Sequence, residues 1–178
     1  DLDVADCISL LAEDPATRVI CAALEGCRDG NRFRAALLKA ARARKPVLVL
    51  KVGGSPVGAA AAATHTGSLA GEDRIYHAIL RECGAWRAPS IETMLDVAQL
   101  CIACGPPSGC DVGLLSISGG IGVLMADVAS ASGLGLPEFP PGVLGAVADT
   151  LPAAAGANPI DTTANVVANM ACFETLLC

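Results

Sequence analysis

The stretch AAAAATHTGSLAG, residues 59–71, contains one of only two histidines in the 178-residue chain. Small residues flank His65 on both sides, so the segment offers little bulk for packing around an imidazole. A neutral ring nitrogen is nucleophilic near pH 7 and can accept a phosphoryl group when a partner holds the other nitrogen. Glycine and alanine would let a loop approach a phosphate or swing between two sites. The alternative is an ordinary histidine, at the surface or hydrogen-bonded in the core.

The stretch ALEGCRDG contains a possible partner for this imidazole. Glu25 directly follows a predicted buried strand, at the carboxyl end where the ligand sites of α/β sheets gather. A carboxylate in that position could orient the ring and stabilise its positive charge. Glu25 is otherwise a solvated residue of a turn.

A third candidate is the glycine-rich turn in SISGGIGVLMAD, between a predicted strand and a predicted helix. Unpaired amides and the positive end of the helix dipole favour an anion there, which makes four residues candidates for phosphate binding: Gly119, Gly120, Ile121 and Gly122. The pattern is neither a Walker A loop nor a complete G-x-G-x-x-G motif. Tight turns from strand to helix also use glycine without binding a ligand.

The elements that must position these residues alternate along the chain. Strands near residues 18–24 and 46–51 are short apolar runs, which is typical of a parallel sheet covered on both faces. A helix beginning after the N-cap Asp29 connects them, and a second helix is predicted to begin at Ser90. After the linker CGPPSGC, a strand near residues 111–117 starts another α/β unit. The remaining predicted helices cover residues 3–14, 72–84, 119–133 and 141–151.

Composition limits the classes of partner. Hydrophobic residues make up 53% of the chain, but no apolar run reaches the roughly 20 residues of a membrane span. A net charge of -6 with one Trp and one Tyr argues against nucleic-acid binding.

Nine cysteines show no pairing pattern, and the spacing Cys101-x2-Cys104-x5-Cys110 has no convincing fourth metal ligand. We therefore expect no metal site, reduced thiols and a cytoplasmic location.

The run LKVGGSPVGAAAAATHTGSLAGEDRIYHAILRECGAWR resembles the phosphohistidine segment of the NDP-forming acyl-CoA synthetases, the group of ADP-forming acetate-CoA ligases related to succinyl-CoA synthetase. The strand-helix-strand before it is similar to the same family, and SISGGIGVLMADVASASGL with GANPIDTT resembles its next flavodoxin-like domain. The resemblance implies flavodoxin-like three-layer αβα domains with parallel sheets. Residues 1–106 would form one such ligase domain, lacking its N-terminal part, and residues 107–178 would begin a second.

The resemblance also implies an acid-thiol ligase that interconverts acyl-CoA, ADP and phosphate with a carboxylic acid, CoA and ATP. His65 would be the phosphohistidine, Glu25 the glutamate that stabilises it, and the SGGIG turn one of two helix N-termini that hold phosphate. The cofactors would be CoA, ATP or ADP with Mg²⁺, and phosphate. CoA-binding and ATP-grasp domains or subunits would be the partners, in a homo- or hetero-oligomer.

The chain departs from the family pattern because it contains neither the CoA-binding domain nor the ATP-grasp domain, and begins after the glycine turn of the other helix N-terminus. We therefore expect a fragment that has no catalytic activity by itself. We also expect apolar edges of its parallel sheets to be exposed and to contact partners. A non-catalytic regulatory or scaffold module of a protein acetyltransferase is the alternative function. A flavin-binding flavodoxin is a weaker one, since no aromatic pair is available to enclose the isoalloxazine.

Overall fold

The computed structural model describes residues 2–66, 71–105, 107 and 109–168. The chain divides into two compact units, Asp1–Pro106 and Pro107–Cys178. The division lies in the CGPPSGC stretch, where Gly and Pro interrupt the regular elements. Each unit is built on its own parallel sheet.

The sheet of the first unit has three parallel strands in the order β1-β2-β3: Ile20–Leu24, Val47–Lys51 and Trp86–Arg87. The predicted parallel pairing of the first two strands is confirmed, with Ile20 opposite Val47 and Leu24 opposite Lys51. The sequence did not indicate β3, because two residues are too short to form an apolar run.

Helices cover both faces of this sheet, and their bounds are α1 Val4–Glu13, α2 Gly30–Arg42, α3 Pro56–Thr66, α4 Asp73–Glu82 and α5 Ile91–Cys104. Buried residues of α1, α2 and α4 form one core with Val47 and Val49 of β2. Met94 and Ala98 of α5 form another with Leu48. Alternate residues of β2 thus point into opposite layers, as a strand requires, and the unit has the expected three-layer αβα arrangement.

Local side chains determine where two of these helices begin. Asp29 caps α2 because its carboxylate accepts hydrogen bonds from the amides of Asn31, at 2.9 Å, and Arg32, at 3.1 Å. Ser90 caps α5 by accepting from the amide of Thr93 at 3.2 Å. Both predicted helix starts are confirmed, because N-capping depends on residues close in sequence.

The second unit contains a smaller parallel pair, β4 Leu115–Ser116 and β5 Ile160–Asp161. Its helices are α6 Gly119–Ala131 and α7 Pro141–Thr150, and a 3₁₀ helix covers Ala164–Ala168. The strand predicted near residues 111–117 is shorter than expected. The amide of Leu114 is bound instead by the Asn158 side chain at 3.0 Å, and that of Val112 by the Gly135 carbonyl at 2.9 Å. These contacts satisfy the backbone without a continuous ladder.

Large apolar side chains remain exposed on helices of both units. On α6, Leu124 and Val128 are 65% and 67% exposed, and on α5, Leu95 and Leu100 are 54% and 61% exposed. These exposed side chains lie on helices and do not test the expectation of bare sheet edges, which stays a prediction together with partner contacts through those edges.

The aromatic contact between α2 and α4 provides a test of the first core. Phe33 is fully buried, and its ring meets that of Tyr76 edge to face at a centroid distance of 6.3 Å. Phe33→Ala should lower the free energy of unfolding by about 3–5 kcal/mol, through lost burial and the cavity left behind. Urea unfolding measures the change. Leu10→Ala, at a helix position that is 68% exposed, is the control and should change it by less than about 0.5 kcal/mol. Equal losses would contradict this account of the core.

Candidate functional site

Three charged residues meet at the carboxyl edge of the first sheet. Glu25 directly follows β1, Lys51 ends β2 and Arg87 ends β3. The backbone register places Leu24 opposite Lys51 and Val49 opposite Arg87. Because parallel strands end at the same edge, residues distant in sequence come together where α/β sheets bind ligands.

Glu25 carries an unsatisfied polar atom. The side chain is half-buried, and its Oε2 is buried with no hydrogen-bond partner in the part of the chain that the structure describes. A buried acceptor left unpaired costs about 1–3 kcal/mol, and more when it is charged. The predicted location of Glu25 at the end of a strand is confirmed. Its Oε2 can accept a hydrogen bond from a group that binds at this edge of the sheet.

The turn after Glu25 is fixed by α4. The amide of Cys27 donates to the Tyr76 hydroxyl at 2.9 Å, and that hydroxyl lies 3.5 Å from the Cys27 sulfur, to which it donates. Burial, followed by the hydrogen bond to Cys27, raises the pKa of Tyr76 to about 12, so the phenol stays protonated at neutral pH. A protonated phenol holds the backbone two residues beyond the carboxylate and thereby limits the movement of Glu25.

Arg87 is held by a neighbouring carboxylate. Its guanidinium donates two hydrogen bonds to Asp73, Nη1 to Oδ2 at 2.9 Å and Nη2 to Oδ1 at 2.7 Å. The bidentate geometry is the strong form of this pair. A Cβ on Gly54 would lie 2.8 Å from Asp73 Oδ1, so only glycine allows the chain to pass this ion pair.

The segment that carries His65 is helical, which corrects the prediction of a loop. Residues 56–66 form α3, and Ser55 caps it by accepting the amide of Gly58 at its Oγ, at 3.0 Å, and that of Ala59 at its carbonyl, at 2.8 Å. Alanine is the best helix former, and proline is favoured at the first helical position. His65 lies in the last turn of α3, but its imidazole and residues 67–70 are outside the described part of the chain.

Both ends of the histidine segment lie at the carboxyl edge. At the start, Gly53 has a φ of 72°, a left-handed conformation that lets the chain turn from β2 into α3. At the end, a Cβ on Gly71 would lie 3.1 Å from Cε2 of Tyr76, the residue that anchors the turn after Glu25. The chain therefore leaves this edge before His65 and returns to it afterwards.

The predicted phosphate turn forms the N-terminus of α6. Ser118 is the N-cap but makes no side-chain capping bond. The amide of Gly122 donates to the Ser118 carbonyl at 3.0 Å, so that amide is engaged within the helix, and a place for Gly122 in an anion site stays a prediction. The amides of Gly119, Gly120 and Ile121 precede the first intrahelical bond, where donors point out of the helix.

A carboxylate lies beside this helix end. Asp161 Oδ2 is 3.0 Å from where a Cβ on Gly119 would stand, while Asp161 Oδ1 accepts from the amide of Thr163 at 2.8 Å. Negative charge is stabilised at a helix N-terminus. Asp161 therefore competes with any phosphate for this position, a role that its place in GANPIDTT does not indicate.

Sequence reasoning missed Lys51, Asp73, Tyr76 and Arg87. One local signal was available for Lys51, since a lysine ends the otherwise apolar run VLVLK. The others come together only through strand pairing and helix packing. Among the described residues, no group of three or more His, Cys, Asp or Glu side chains is placed to hold a metal ion.

The first unit matches a known domain. The profile of the family described as succinyl-CoA ligase like flavodoxin domain covers residues 1–101, and the chain belongs to this family. The predicted flavodoxin-like fold class is thereby confirmed. The assignment of the second unit as the beginning of a further ligase domain stays a prediction.

Relatives of named activity support the same resemblance. ADP-forming acetate-CoA ligase I subunit alpha of Pyrococcus furiosus is 40% identical over 136 residues, which are 76% of this chain and 29% of that protein. ADP-forming acetate-CoA ligase I of Archaeoglobus fulgidus is 38% identical over 161 residues, 90% of this chain and 23% of that protein. The chain thus spans less than a third of the length of these two relatives.

A solved structure shares the fold. Acetyl-coenzyme A synthetase 1 of Ca. Korarchaeum cryptofilum, described as dinucleotide forming and in complex with phosphate and ADP, matches with a TM-score of 0.79 and 35% identity. The match covers 92% of this chain and 36% of that one. The resemblance to the NDP-forming acyl-CoA synthetases is confirmed. Among the helices that the structure describes, none combines the length and apolar character needed to cross a membrane.

The ion pair between Arg87 and Asp73 predicts a pH-dependent stability. Hydrogen bonding from Arg87 holds the pKa of Asp73 below its ordinary value of 3.8. The contribution of the pair is therefore complete above that value and is lost as the pH falls through the lower pKa of the folded state. Arg87→Gln should lower the free energy of unfolding by about 1 kcal/mol at pH 7, and by less below about pH 4.

Urea unfolding at several pH values measures this difference. Arg74→Gln is the control, because Arg74 and its partner Glu72 are 84% and 60% exposed, and the variant should behave like wild type. A loss in Arg87→Gln that is as large at pH 3 as at pH 7 would contradict the assignment.

The α6 N-terminus gives a binding prediction. Inorganic phosphate, titrated by calorimetry, should bind more tightly to Asp161→Asn, because a competing charge is removed. Gly120→Val should weaken binding, since its side chain would enter the open space in front of the amides. Gly142→Val, at the first turn of α7, is the matched control and should have no effect. Unchanged affinity in both Asp161→Asn and Gly120→Val would leave the glycines with a role in the turn alone.

Proposed function

We propose that this chain carries the phosphohistidine of an NDP-forming acyl-CoA synthetase. The reaction interconverts acyl-CoA, ADP and phosphate with a carboxylic acid, CoA and ATP. The observation that carries the proposal is the buried Oε2 of Glu25, which has no hydrogen-bond partner among the described residues and lies at the sheet edge where the segment containing His65 begins and ends. The acetate-CoA ligases of P. furiosus and A. fulgidus support the reaction class.

The reaction proceeds in three steps, and in each step one bond forms as another breaks. A phosphate oxygen attacks the thioester carbonyl, the carbon–sulfur bond breaks, and CoA leaves as the thiolate. A ring nitrogen of His65 then attacks the phosphorus of the acyl phosphate, and the phosphorus–oxygen bond to the acid breaks. Finally a terminal oxygen of ADP attacks the phosphohistidine, the nitrogen–phosphorus bond breaks, and ATP forms. The histidine is regenerated and carries the group between two substrates.

Glu25 would act on the second ring nitrogen of His65. The free Oε2 accepts that nitrogen's hydrogen, which leaves the first nitrogen unprotonated and nucleophilic. As phosphorus bonds to the ring, positive charge develops on the imidazole, and the carboxylate stabilises it. An acceptor that is already buried has little reorganisation to undergo when the imidazole arrives.

The packing of α3 suits an element that moves. None of its described side chains is buried, and its sequence from Ala59 to Ala62 has only methyl groups to anchor it. Segments with few buried apolar contacts open at low free-energy cost. The moving element would therefore be the end of α3, which has few packing contacts, instead of the loop that the sequence indicated.

The α6 N-terminus would supply phosphate-binding amides from Gly119, Gly120 and Ile121. CoA, nucleotide and Mg²⁺ would be bound by CoA-binding and ATP-grasp domains or subunits, in a homo- or hetero-oligomer. A reducing cytoplasm is the compartment we propose, because the cysteines show no pairing pattern. The alternative, a scaffold module attached to a protein acetyltransferase, requires no phosphorylation of His65.

Replacement of the histidine tests the carrier directly. In the ligase assembled with its nucleotide- and CoA-binding parts, His65→Ala should abolish both ATP formation and the acid-labile phosphoprotein. His77→Ala is the matched control, because His77 is the second histidine of the chain and is exposed on α4. Label from γ-phosphate that is still incorporated by His65→Ala would contradict the proposal and favour the scaffold module.

Replacement of the carboxylate tests its role in the transfer. Glu25→Gln keeps the shape and removes the charge, so phosphorylation should slow by roughly ten- to ten-thousand-fold. Rapid-quench measurement of the phosphoprotein gives the rate. A variant that is phosphorylated as fast as wild type would show that Glu25 does not assist the reaction.

A further inference from the structure

Lys51 is a buried lysine in a layer of apolar side chains. It ends β2, is only 7% exposed, and follows Val47 and Val49 on the face of the strand that is covered by α1, α2 and α4. Its Nζ donates to the carbonyl of Val52 and lies 4.9 Å from the centroid of the Tyr76 ring. An ammonium has three donors, and the Val52 carbonyl is its one hydrogen-bond acceptor among the residues that the structure describes.

The fold alone does not explain this charge. Removing an ammonium from water costs several kcal/mol unless it is well paired, and an apolar side chain of similar volume is often as stabilising or more so. Burial lowers the pKa of Lys51, as expected for a cation out of contact with water. A methionine would extend the apolar pattern of VLVLK without that cost, so the charge itself needs a reason.

The hydrogen bonds of the groups near Lys51 indicate which side chain its ammonium acts on. Asp73, Arg87, Glu25 and the Cys27 thiol all act on Lys51. Asp73 already accepts two hydrogen bonds from Arg87. Cys27 is engaged by Tyr76, which bonds both its amide and its sulfur. The remaining group is Glu25, whose Oε2 has no hydrogen-bond partner in the described ranges of the chain.

The backbone keeps the two groups together. Leu24 is opposite Lys51 in the β1–β2 register, and the amide of Val52 donates to the Leu24 carbonyl at 3.0 Å. Glu25 and Lys51 are thus each within one residue of the last bond that joins the two strands. Neither residue can leave this edge without opening the pairing.

We propose that Lys51 is a positioning residue for the transfer to His65: its buried ammonium, at the same edge of the sheet as Glu25, supplies positive charge beside the carboxylate that receives the imidazole. This inference rests on the proposed function. A fixed cation on the neighbouring strand attracts a carboxylate at the same edge of the sheet. Because it is buried, water does not screen it as it screens a surface charge.

The test separates charge from structure through a double-mutant cycle on the phosphorylation rate of the assembled ligase. Lys51→Met should slow phosphorylation at least about tenfold, while Lys51→Arg, which restores the charge, should keep more than about a third of the wild-type rate. Since Lys51 acts through Glu25, the pair Lys51→Met and Glu25→Gln should be no slower than Glu25→Gln alone, within about threefold.

Lys45→Met is the matched control. Lys45 precedes β2 at the opposite edge of the sheet, is half-buried, and donates to the Leu11 and Asp14 carbonyls. Its replacement should leave the phosphorylation rate within about threefold of wild type, whatever it does to stability. Urea unfolding checks each variant, and Lys51→Gln takes the place of Lys51→Met in the cycle if the latter does not fold.

The outcomes distinguish this inference from the function on which it rests. Multiplicative losses in the double variant, or an unaffected Lys51→Met, would overturn the role of Lys51 while phosphorylation of His65 in wild type continued to support the carrier. Absence of phosphohistidine in the wild-type ligase would overturn both.

Discussion

Parallel pairing of three strands determines what the first unit can do. The register that sets Leu24 opposite Lys51 and Val49 opposite Arg87 brings an anion and two cations to one edge of the sheet. Apolar side chains of α1, α2 and α4 cover one face of these strands, and α5 covers the other, so the ends of the strands are what remains for polar chemistry. The site therefore depends on the same backbone bonds that hold the core together.

The charged side chains at this edge differ in how completely they are hydrogen-bonded. Arg87 and Asp73 form a complete bidentate pair, whereas Oε2 of Glu25 is buried and has no hydrogen-bond partner among the residues that the structure describes. An unpaired buried acceptor opposes folding, so we propose that a ligand group completes Oε2 of Glu25. An imidazole at the end of α3 would meet that requirement, because it would present an N–H donor to the carboxylate and would become cationic when phosphorylated.

Local sequence signals predicted the scaffold well. Apolar runs identified β1 and β2, and the caps at Asp29 and Ser90 located two helices, because each depends on residues close in sequence. The loop assigned to His65 was wrong because a run of alanines after Pro56 forms a helix. The partnership of Arg87 with Asp73 could not be predicted, since it requires β3, a strand of two residues that exists only beside β2.

The central claim is that His65 carries the phosphoryl group, and its most direct measurement is the location of that group. The complete ligase would be incubated with ATP and Mg²⁺, then digested and analysed by mass spectrometry at alkaline pH, which preserves phosphohistidine. The account predicts one acid-labile phosphoryl group on the peptide that contains His65. Phosphate on another residue, or none on this chain while ATP is formed and consumed, would contradict it.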